Sequence, residues 1–79
     1  MNRCTAAMSS LTHCMRAQRL LMEEEIDSTI VKLDSSLTKK GCAYGIEFSC
    51  NAKREVRTIL TRARLPVSQY IDDGGGVPL

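Results

Sequence analysis

Hydrophobic and polar residues follow two different periods along this chain. Between residues 13 and 24, apolar side chains recur at helical spacing and predict a first helix, with Ser9, Ser10 or Thr12 able to cap its start. A second stripe predicts a second helix, capped by Asn51 and ended before Pro66. The members of this second stripe are Ala52, Val56, Ile59, Leu60 and Ala63.

Four other segments have the composition or the alternation of β-strands. They are residues 4–9, 26–33, 42–49 and 67–71. The third alternates most clearly, because Cys42, Tyr44, Ile46 and Phe48 fall on one face. The polar stretch 34–41 predicts a loop. Residues 72–79, with three consecutive glycines, predict a flexible tail after a single domain of residues 1–71.

The resulting order, β-α-β-β-α-β, is the split pattern of ferredoxin-like folds. It predicts an α+β domain with a four-stranded antiparallel sheet and two helices on one face. The opposite face carries small or polar residues, so we expect it to be wetted or to form a homodimer. Its members are Thr5, Ala7, Thr29, Val31, Gly45, Glu47 and Ser68.

Charge and composition narrow the possible functions. The net charge is only +2 in 79 residues, which is too balanced to indicate nucleic acid or an anionic membrane as a partner. No segment has the length and apolarity of a signal peptide or a membrane span, so we expect a cytoplasmic protein with reduced thiols. No phosphate loop, pair of catalytic carboxylates or Ser-His-Asp set is present, and no cofactor is expected.

Four cysteines, at positions 4, 14, 42 and 50, are the remaining candidates for chemistry. None has the C-x-x-C spacing of a zinc or thioredoxin-like site, so no metal is expected. Cys4, Cys14 and Cys50 are interpreted as small buried hydrophobic residues. Cys14 could alternatively resolve a bond formed at Cys42. Disulfides would remain possible in a secreted protein.

Cys42 is the candidate nucleophile. The topology places the start of the third strand at the sheet end where the first helix begins, and the alternation aims its sulfur at the first turn of that helix, near Thr12 and His13. The positive end of the helix dipole and Lys40 would favour the thiolate there. Gly41 and Gly45 would leave room for a partner to approach.

Residues 41–48, Gly-Cys-Ala-Tyr-Gly-Ile-Glu-Phe, resemble the cysteine motif of the selenium/sulfur (Se/S) carrier protein-like family, with Gly-Cys in place of the commoner Cys-Gly. The likeness extends over residues 10–71, including Thr12-His13 and the helix that follows. It implies a role similar to that of TusA-like persulfide carriers, although their Cys-Pro motif is absent. Cys42 would accept sulfur or selenium from a cysteine desulfurase-like donor and pass it to an acceptor protein, without autonomous enzymatic turnover.

A second hypothesis is a non-catalytic interaction module. The second helix carries five basic residues against the single acid Glu55 and could dock an acidic protein or tRNA. These basic residues are Lys53, Arg54, Arg57, Arg62 and Arg64. RNA binding through the sheet is disfavoured by the scarcity of aromatic residues. Gly-Gly carrier chemistry is blocked because residues 77–79 follow the glycines.

Overall fold

A computed structural model of the chain describes residues 2–34, 38, 42–72 and 77–78. These residues form two helices and five strands. In chain order they are β1 (Arg3–Met8), α1 (Leu11–Glu23), β2 (Ser28–Lys32), β3 (Tyr44–Ser49), α2 (Lys53–Arg62), β4 (Gln69–Asp72) and β5 (Val77–Pro78). A short 3₁₀ helix, Cys50–Ala52, leads directly into α2.

The strands form one sheet in the order β4-β1-β3-β2-β5. All neighbouring strands in it are antiparallel. Because β1 and β2 both pair antiparallel with β3, they run parallel to each other, and α1 makes the crossover between them. The first four strands have the ferredoxin-like order, which confirms the predicted α+β fold.

Both helices pack on the same face of the sheet and enclose the main core. Phe48 is the largest of its fully buried side chains, and burial of one such residue contributes about 1.5–3 kcal/mol. The sheet supplies Cys4, Ala6, Met8, Ile46 and Phe48, and the helices supply Cys14, Ala17, Leu21, Val56 and Leu60. The apolar stripes predicted from helical spacing therefore face the sheet.

The helix α1 begins two residues earlier than predicted, at Leu11. Its cap is Ser10, whose hydroxyl accepts a hydrogen bond from the His13 amide at 3.2 Å. Since this bond satisfies one of the free amides of the first turn, Ser10 fixes where the helix starts. Thr12 lies inside the helix and is exposed.

The end of α1 is closed by backbone hydrogen bonds in a Schellman arrangement. The Ile26 amide donates to the Leu21 carbonyl at 2.8 Å, and the Glu25 amide donates to the Met22 carbonyl at 3.0 Å. Glu25 takes a left-handed backbone conformation, with φ of 60°. Glycine is the residue that adopts this conformation without a steric penalty, so Glu25 costs the fold some stability.

Much of the second face of the sheet is buried within the chain and is not the wetted surface that was one of the two expectations, whereas Thr29, Glu47 and Ser68 are partly exposed. Ala7, Val31, Leu33 and Cys42 form a second apolar cluster there, against which Ile71 packs. Thr5 and Gly45 are also buried. The β2–β3 connection supplies Leu33 and Cys42 to this cluster, which physically explains why the face is not bare.

The C-terminal segment differs in part from the predicted flexible tail. Asp72 ends β4, and the backbone of Val77–Pro78 pairs with Val31 and Lys32 as the fifth strand. The edge of β2 therefore has a hydrogen-bonding partner. Residues 73–76 and 79 lie outside the described residues. Neither of the two helices described is long and apolar enough to cross a bilayer.

Candidate functional site

Cys42 lies just ahead of β3, at the end of the sheet where β1 stops and α1 begins. Two hydrogen bonds hold its backbone region. The Leu33 amide donates to the Ala43 carbonyl at 2.7 Å, and the Thr38 hydroxyl donates to the Cys42 carbonyl at 3.2 Å. Thr38 is itself buried, so this part of the connection is anchored against the sheet.

The predicted environment of Cys42 was wrong in one respect, the face of the sheet on which it packs. Its apolar neighbours are those of the second cluster, on the side away from the helices. The physical reason is that β3 begins at Tyr44, so Cys42 and Ala43 precede the strand and its alternation does not extend to them. The residue is only 6% exposed.

The polar partner of the Cys42 sulfur is Ser68. Their Sγ and Oγ atoms lie 3.0 Å apart. The same serine hydroxyl donates to the Ala7 carbonyl at 3.2 Å, and the Ser68 amide donates to that carbonyl at 2.9 Å. Because a hydroxyl has one proton, the thiol donates to Ser68 while Ser68 donates to Ala7. The three groups form a short chain of hydrogen bonds at the end of β1.

Cys14 is the second free thiol among the described residues, and it is fully buried in the main core. The pKa of the Cys14 thiol is raised from 9.0 to about 11, mainly because the thiol is buried and to a smaller extent because of charge on Cys42. Cys14 belongs to the first turn of α1, which begins at the same end of the sheet as β3, just after Cys42. Cys14 stays protonated at neutral pH, which disfavours the alternative in which it acts as a resolving nucleophile.

Cys4 and Cys50 are joined by a disulfide, whereas the sequence interpretation made both of them reduced core residues. The β1–β3 register accounts for the bond. Arg3 pairs with Ser49, and the chain then turns into the 3₁₀ helix, where the Cys50 amide donates to the Asn2 carbonyl at 3.2 Å. This turn brings the Cα atoms of the two cysteines to 5.0 Å. Cys50 is half-buried, whereas Cys4 is 1% exposed.

A carboxylate lies against this disulfide. Asp72 Oδ1 is 3.3 Å from Cys4 Sγ and 3.0 Å from Lys53 Nζ. The sulfur of a disulfide has no proton, so its contact with Asp72 becomes a hydrogen bond only in the reduced dithiol. The sulfur atoms of Cys4 and Cys50 and a carboxylate oxygen of Asp72 lie within 4.8 Å of one another. Because the two sulfurs are joined in a disulfide, they are not thiolates that could bind a metal ion.

The residues predicted to support Cys42 are only partly near it. His13 Nδ1 lies 3.4 Å from Ser9 Oγ, and no described contact joins His13 or Thr12 to the Cys42 sulfur. Gly45 leaves no free space for a partner. A Cβ there would lie 2.7 Å from Thr5 Cγ2 and 3.1 Å from Leu33 Cδ1. Gly41 and Lys40 lie outside the described residues.

Four of the five basic residues predicted for the second helix lie in α2, whereas Arg64 lies beyond its end with φ of 57°. Lys53, Arg54, Arg57 and Thr58 line an open surface groove. The Arg57 guanidinium lies 5.4 Å and the Lys53 ammonium 6.0 Å from the centre of the Tyr70 ring. Aromatic contacts of this kind hold cationic side chains in place, so part of the basic face is ordered.

Two features of the site were not found from the sequence. Ser68 was placed only on the supposedly bare face, and no local motif marks it as the partner of a thiol 26 residues earlier. The disulfide depends on the strand register and on the turn after Ser49, which spacing alone does not reveal. Only the compatibility of positions 4 and 50 with the ends of neighbouring strands could have indicated it.

The fold and the thiols together define a small α+β thiol protein of ferredoxin-like topology. A family model described as "Putative Se/S carrier protein-like" matches residues 3–72. The chain belongs to this family, which confirms the resemblance drawn from residues 10–71. No curated protein and no solved structure matches the chain.

Proposed function

We propose that this protein carries sulfur or selenium as a persulfide-type adduct on Cys42. A cysteine desulfurase-like enzyme is the donor and another protein is the acceptor. The observation that carries the proposal is the distribution of the four cysteines. Two are joined in a disulfide and Cys14 is fully buried with a raised pKa, which leaves Cys42 as the described thiol with a polar partner. Cys42 is also the cysteine of the family-like motif.

The proposed transfer needs no external oxidant. The Cys42 thiolate attacks the terminal sulfur of the donor persulfide, and a bond forms between Sγ and that sulfur. The donor's own S–S bond breaks, and its cysteine leaves with the electron pair and takes the proton that Cys42 lost. An acceptor nucleophile then attacks the terminal sulfur, and Cys42 leaves as the thiolate. With selenium, the same steps form and break a sulfur–selenium bond.

Ser68 is the residue placed to respond to this chemistry. In the resting thiol it accepts from Cys42 and donates to the Ala7 carbonyl. Once the sulfur becomes anionic, rotation of the hydroxyl directs its proton to Sγ, and hydrogen bonds to a charged group are stronger than neutral ones. Ser68 therefore acts as a positioning residue that stabilises the thiolate. Its hydroxyl then no longer donates to the Ala7 carbonyl, which still accepts the hydrogen bond from the Ser68 amide.

Access is part of the proposed mechanism. Cys42 is 6% exposed, so a donor reaches Sγ only when the side chains around it separate locally. The cluster on this face is small, with Ala7, Val31 and Leu33 as its other buried members. A local opening that exposes these residues is less costly than unfolding the main core under the helices. We propose that docking of the donor stabilises this open state.

The test is mass spectrometry of the chain after incubation with a cysteine desulfurase and cysteine. Wild type should gain a sulfur adduct that maps to Cys42, and Cys42→Ser should gain none. Ser68→Ala should load more slowly than wild type, because it lacks the hydroxyl that donates to the sulfur during transfer. Equal adducts on wild type and Cys42→Ser would overturn the proposal. Thr61→Ala, a hydroxyl-to-alanine change at an exposed position of α2 outside the basic groove, is the matched control for Ser68→Ala.

This role places the protein in the cytoplasm, where free thiols stay reduced.

A second candidate function is docking of an acidic protein on the basic face of α2, favoured by the groove that Arg54 and Arg57 line. Such binding would survive Cys42→Ser and weaken with added salt. Binding that is indifferent to salt, or that is lost in Cys42→Ser, would contradict this candidate.

A further inference from the structure

We propose that the Cys4–Cys50 disulfide is a thiol–disulfide exchange site, separate from Cys42, that reacts through Cys50 with small thiols bearing carboxylates. In reducing compartments, disulfides are usually transient and catalytic or redox-sensing. The bond joins β1 to the segment between β3 and α2, and it lies in the part of the fold where β4 ends. Three independent features of this site support exchange.

The first feature is unequal burial of the two sulfur-bearing residues. Cys50 is half-buried at the start of the 3₁₀ helix, whereas Cys4 is 1% exposed inside the main core. Exchange requires an incoming thiolate to approach one sulfur from the side opposite the S–S bond. Of the two residues, Cys50 is the one with exposed surface, so we take Cys50 as the attacked residue and Cys4 as the leaving group.

The second feature is the Asp72 carboxylate, whose Oδ1 lies 3.3 Å from Cys4 Sγ. When the disulfide breaks, Cys4 leaves with the electron pair of the S–S bond and takes a proton from solvent. The resulting thiol can donate to Asp72, and Lys53 at 3.0 Å offsets the negative charge of that carboxylate. The Cys4 thiol of the reduced state therefore has a hydrogen-bonding partner in Asp72. The Asp72 side chain is 70% exposed, so water can reach it.

The third feature is the charge beside the site. Lys53, which bonds to Asp72, also lines the groove with Arg54 and Arg57. Arg57 and Lys53 lie over the Tyr70 ring, which faces the same side of β4 as Asp72. Beyond the Lys53–Asp72 pair, Arg54 and Arg57 are two further cationic side chains within two helical turns of Cys50, and they concentrate anions there. A small thiol bearing carboxylates, with glutathione as the usable probe, fits this combination.

The balanced step joins the incoming thiolate to Cys50 and releases Cys4. The lone pair of the thiolate forms a new S–S bond with Cys50 Sγ, giving a mixed disulfide, and Cys4 becomes a thiol. A second molecule of the same thiol attacks the sulfur that the first molecule contributed to the mixed disulfide. Cys50 leaves with the electron pair and takes a proton. The products are the Cys4–Cys50 dithiol and the small-molecule disulfide, so the thiol is the reductant.

The experiment compares three thiols on the oxidised full chain: glutathione, 2-mercaptoethanol and cysteamine, whose groups other than sulfur are net anionic, neutral and cationic. Reactions are quenched by alkylation, and peptide mass mapping locates the adducts. We expect mixed disulfide on Cys50 and none on Cys4. At equal thiolate concentration, glutathione should react fastest and cysteamine slowest, and added salt should slow glutathione more than 2-mercaptoethanol, because the glutathione thiolate carries more negative charge.

The matched variants isolate the role of charge. Arg54→Glu with Arg57→Glu should lower the glutathione rate by about three- to ten-fold and should lower the 2-mercaptoethanol rate less. Arg16→Glu with Arg19→Glu, the same charge change on the exposed side of α1, should change neither rate. Should the α2 variant not fold, the salt dependence of the wild type decides. Adducts on Cys4, or equal rates for the three thiols, would overturn the proposal.

Discussion

Replacement of Gly45 by alanine tests what this glycine does in the fold. The sequence suggests that it leaves room for a partner near Cys42, whereas the structure fills that room from within the chain. An added Cβ would lie 2.7 Å from Thr5 Cγ2, 3.0 Å from the Ala6 carbonyl oxygen and 3.1 Å from Leu33 Cδ1. Leu33 can turn aside, but Thr5 is stiff at χ1 and the Ala6 oxygen belongs to the backbone of the central strand β1.

The expected effect is destabilisation. Overpacking a close-packed site costs about 1–3 kcal/mol, and the smaller freedom of alanine in the unfolded chain returns about 0.4–1 kcal/mol. The net loss should be about 1–2 kcal/mol, which for a domain of this size lowers Tm by about 4–16 °C. Urea denaturation followed by far-UV circular dichroism measures it, since an unchanged slope would show that only stability has changed.

The Thr5→Ser variant provides the internal control, because it removes the methyl group nearest the added Cβ. Combined with Gly45→Ala, it should cost less than the sum of the two single changes, by about 1 kcal/mol, as residues in contact are not additive. A stable Gly45→Ala protein that loads Cys42 slowly would refute the packing argument. That result would instead assign Gly45 to the approach of a donor.

Two further predictions concern stability. Glu25→Gly should raise the free energy of unfolding by about 0.5–1 kcal/mol, since glycine adopts the left-handed conformation at φ 60° without penalty. The control Glu24→Gly, at φ −96°, should not stabilise the fold. Equal effects of the two changes in urea denaturation would contradict this prediction. The raised pKa of Cys14 means that its stabilising contribution is complete below pH 9 and is lost as the pH rises from 9 to about 11. Cys14→Ala should reduce this alkaline decline in the urea midpoint, and an unchanged decline would show that another group, such as Tyr70 with its own raised pKa, causes it.

The elements and their order could be predicted from the sequence because they depend on local periodicity. The stripes of α1 and α2 and the alternation of Tyr44, Ile46 and Phe48 each report a face that must be buried. The prediction failed where a local pattern was extended beyond its element. Cys42 lies two residues before β3, where the connection from β2 and the contact with Ser68 decide its orientation instead.

Long-range pairing explains the other differences. The disulfide requires residues 4 and 50 to meet, and that depends on the register of β1 against β3 and on the 3₁₀ turn. The burial of Val31 depends on Leu33 and Cys42, which lie just outside β2 and β3 and pack against the sheet, and the pairing of Val77–Pro78 with β2 depends on the path of the chain after β4. None of these contacts leaves a periodic trace in the sequence, so spacing rules could not reveal them.

The two cysteine sites can act independently because β1 separates them. Cys4 pairs with Phe48 and Asp72, whereas Ala7, the acceptor of the Ser68 hydrogen bonds, pairs with Gly45 and Gln69 three residues further along the strand. Three residues of extended chain span about 10 Å, too far for direct sulfur exchange in the folded state. If both proposals hold, a glutathione adduct on Cys50 should leave the loading of Cys42 by the desulfurase unchanged. Inhibition by that adduct would mean that the basic α2 face next to Cys50 also docks the sulfur donor, since contact between the two sulfurs is excluded.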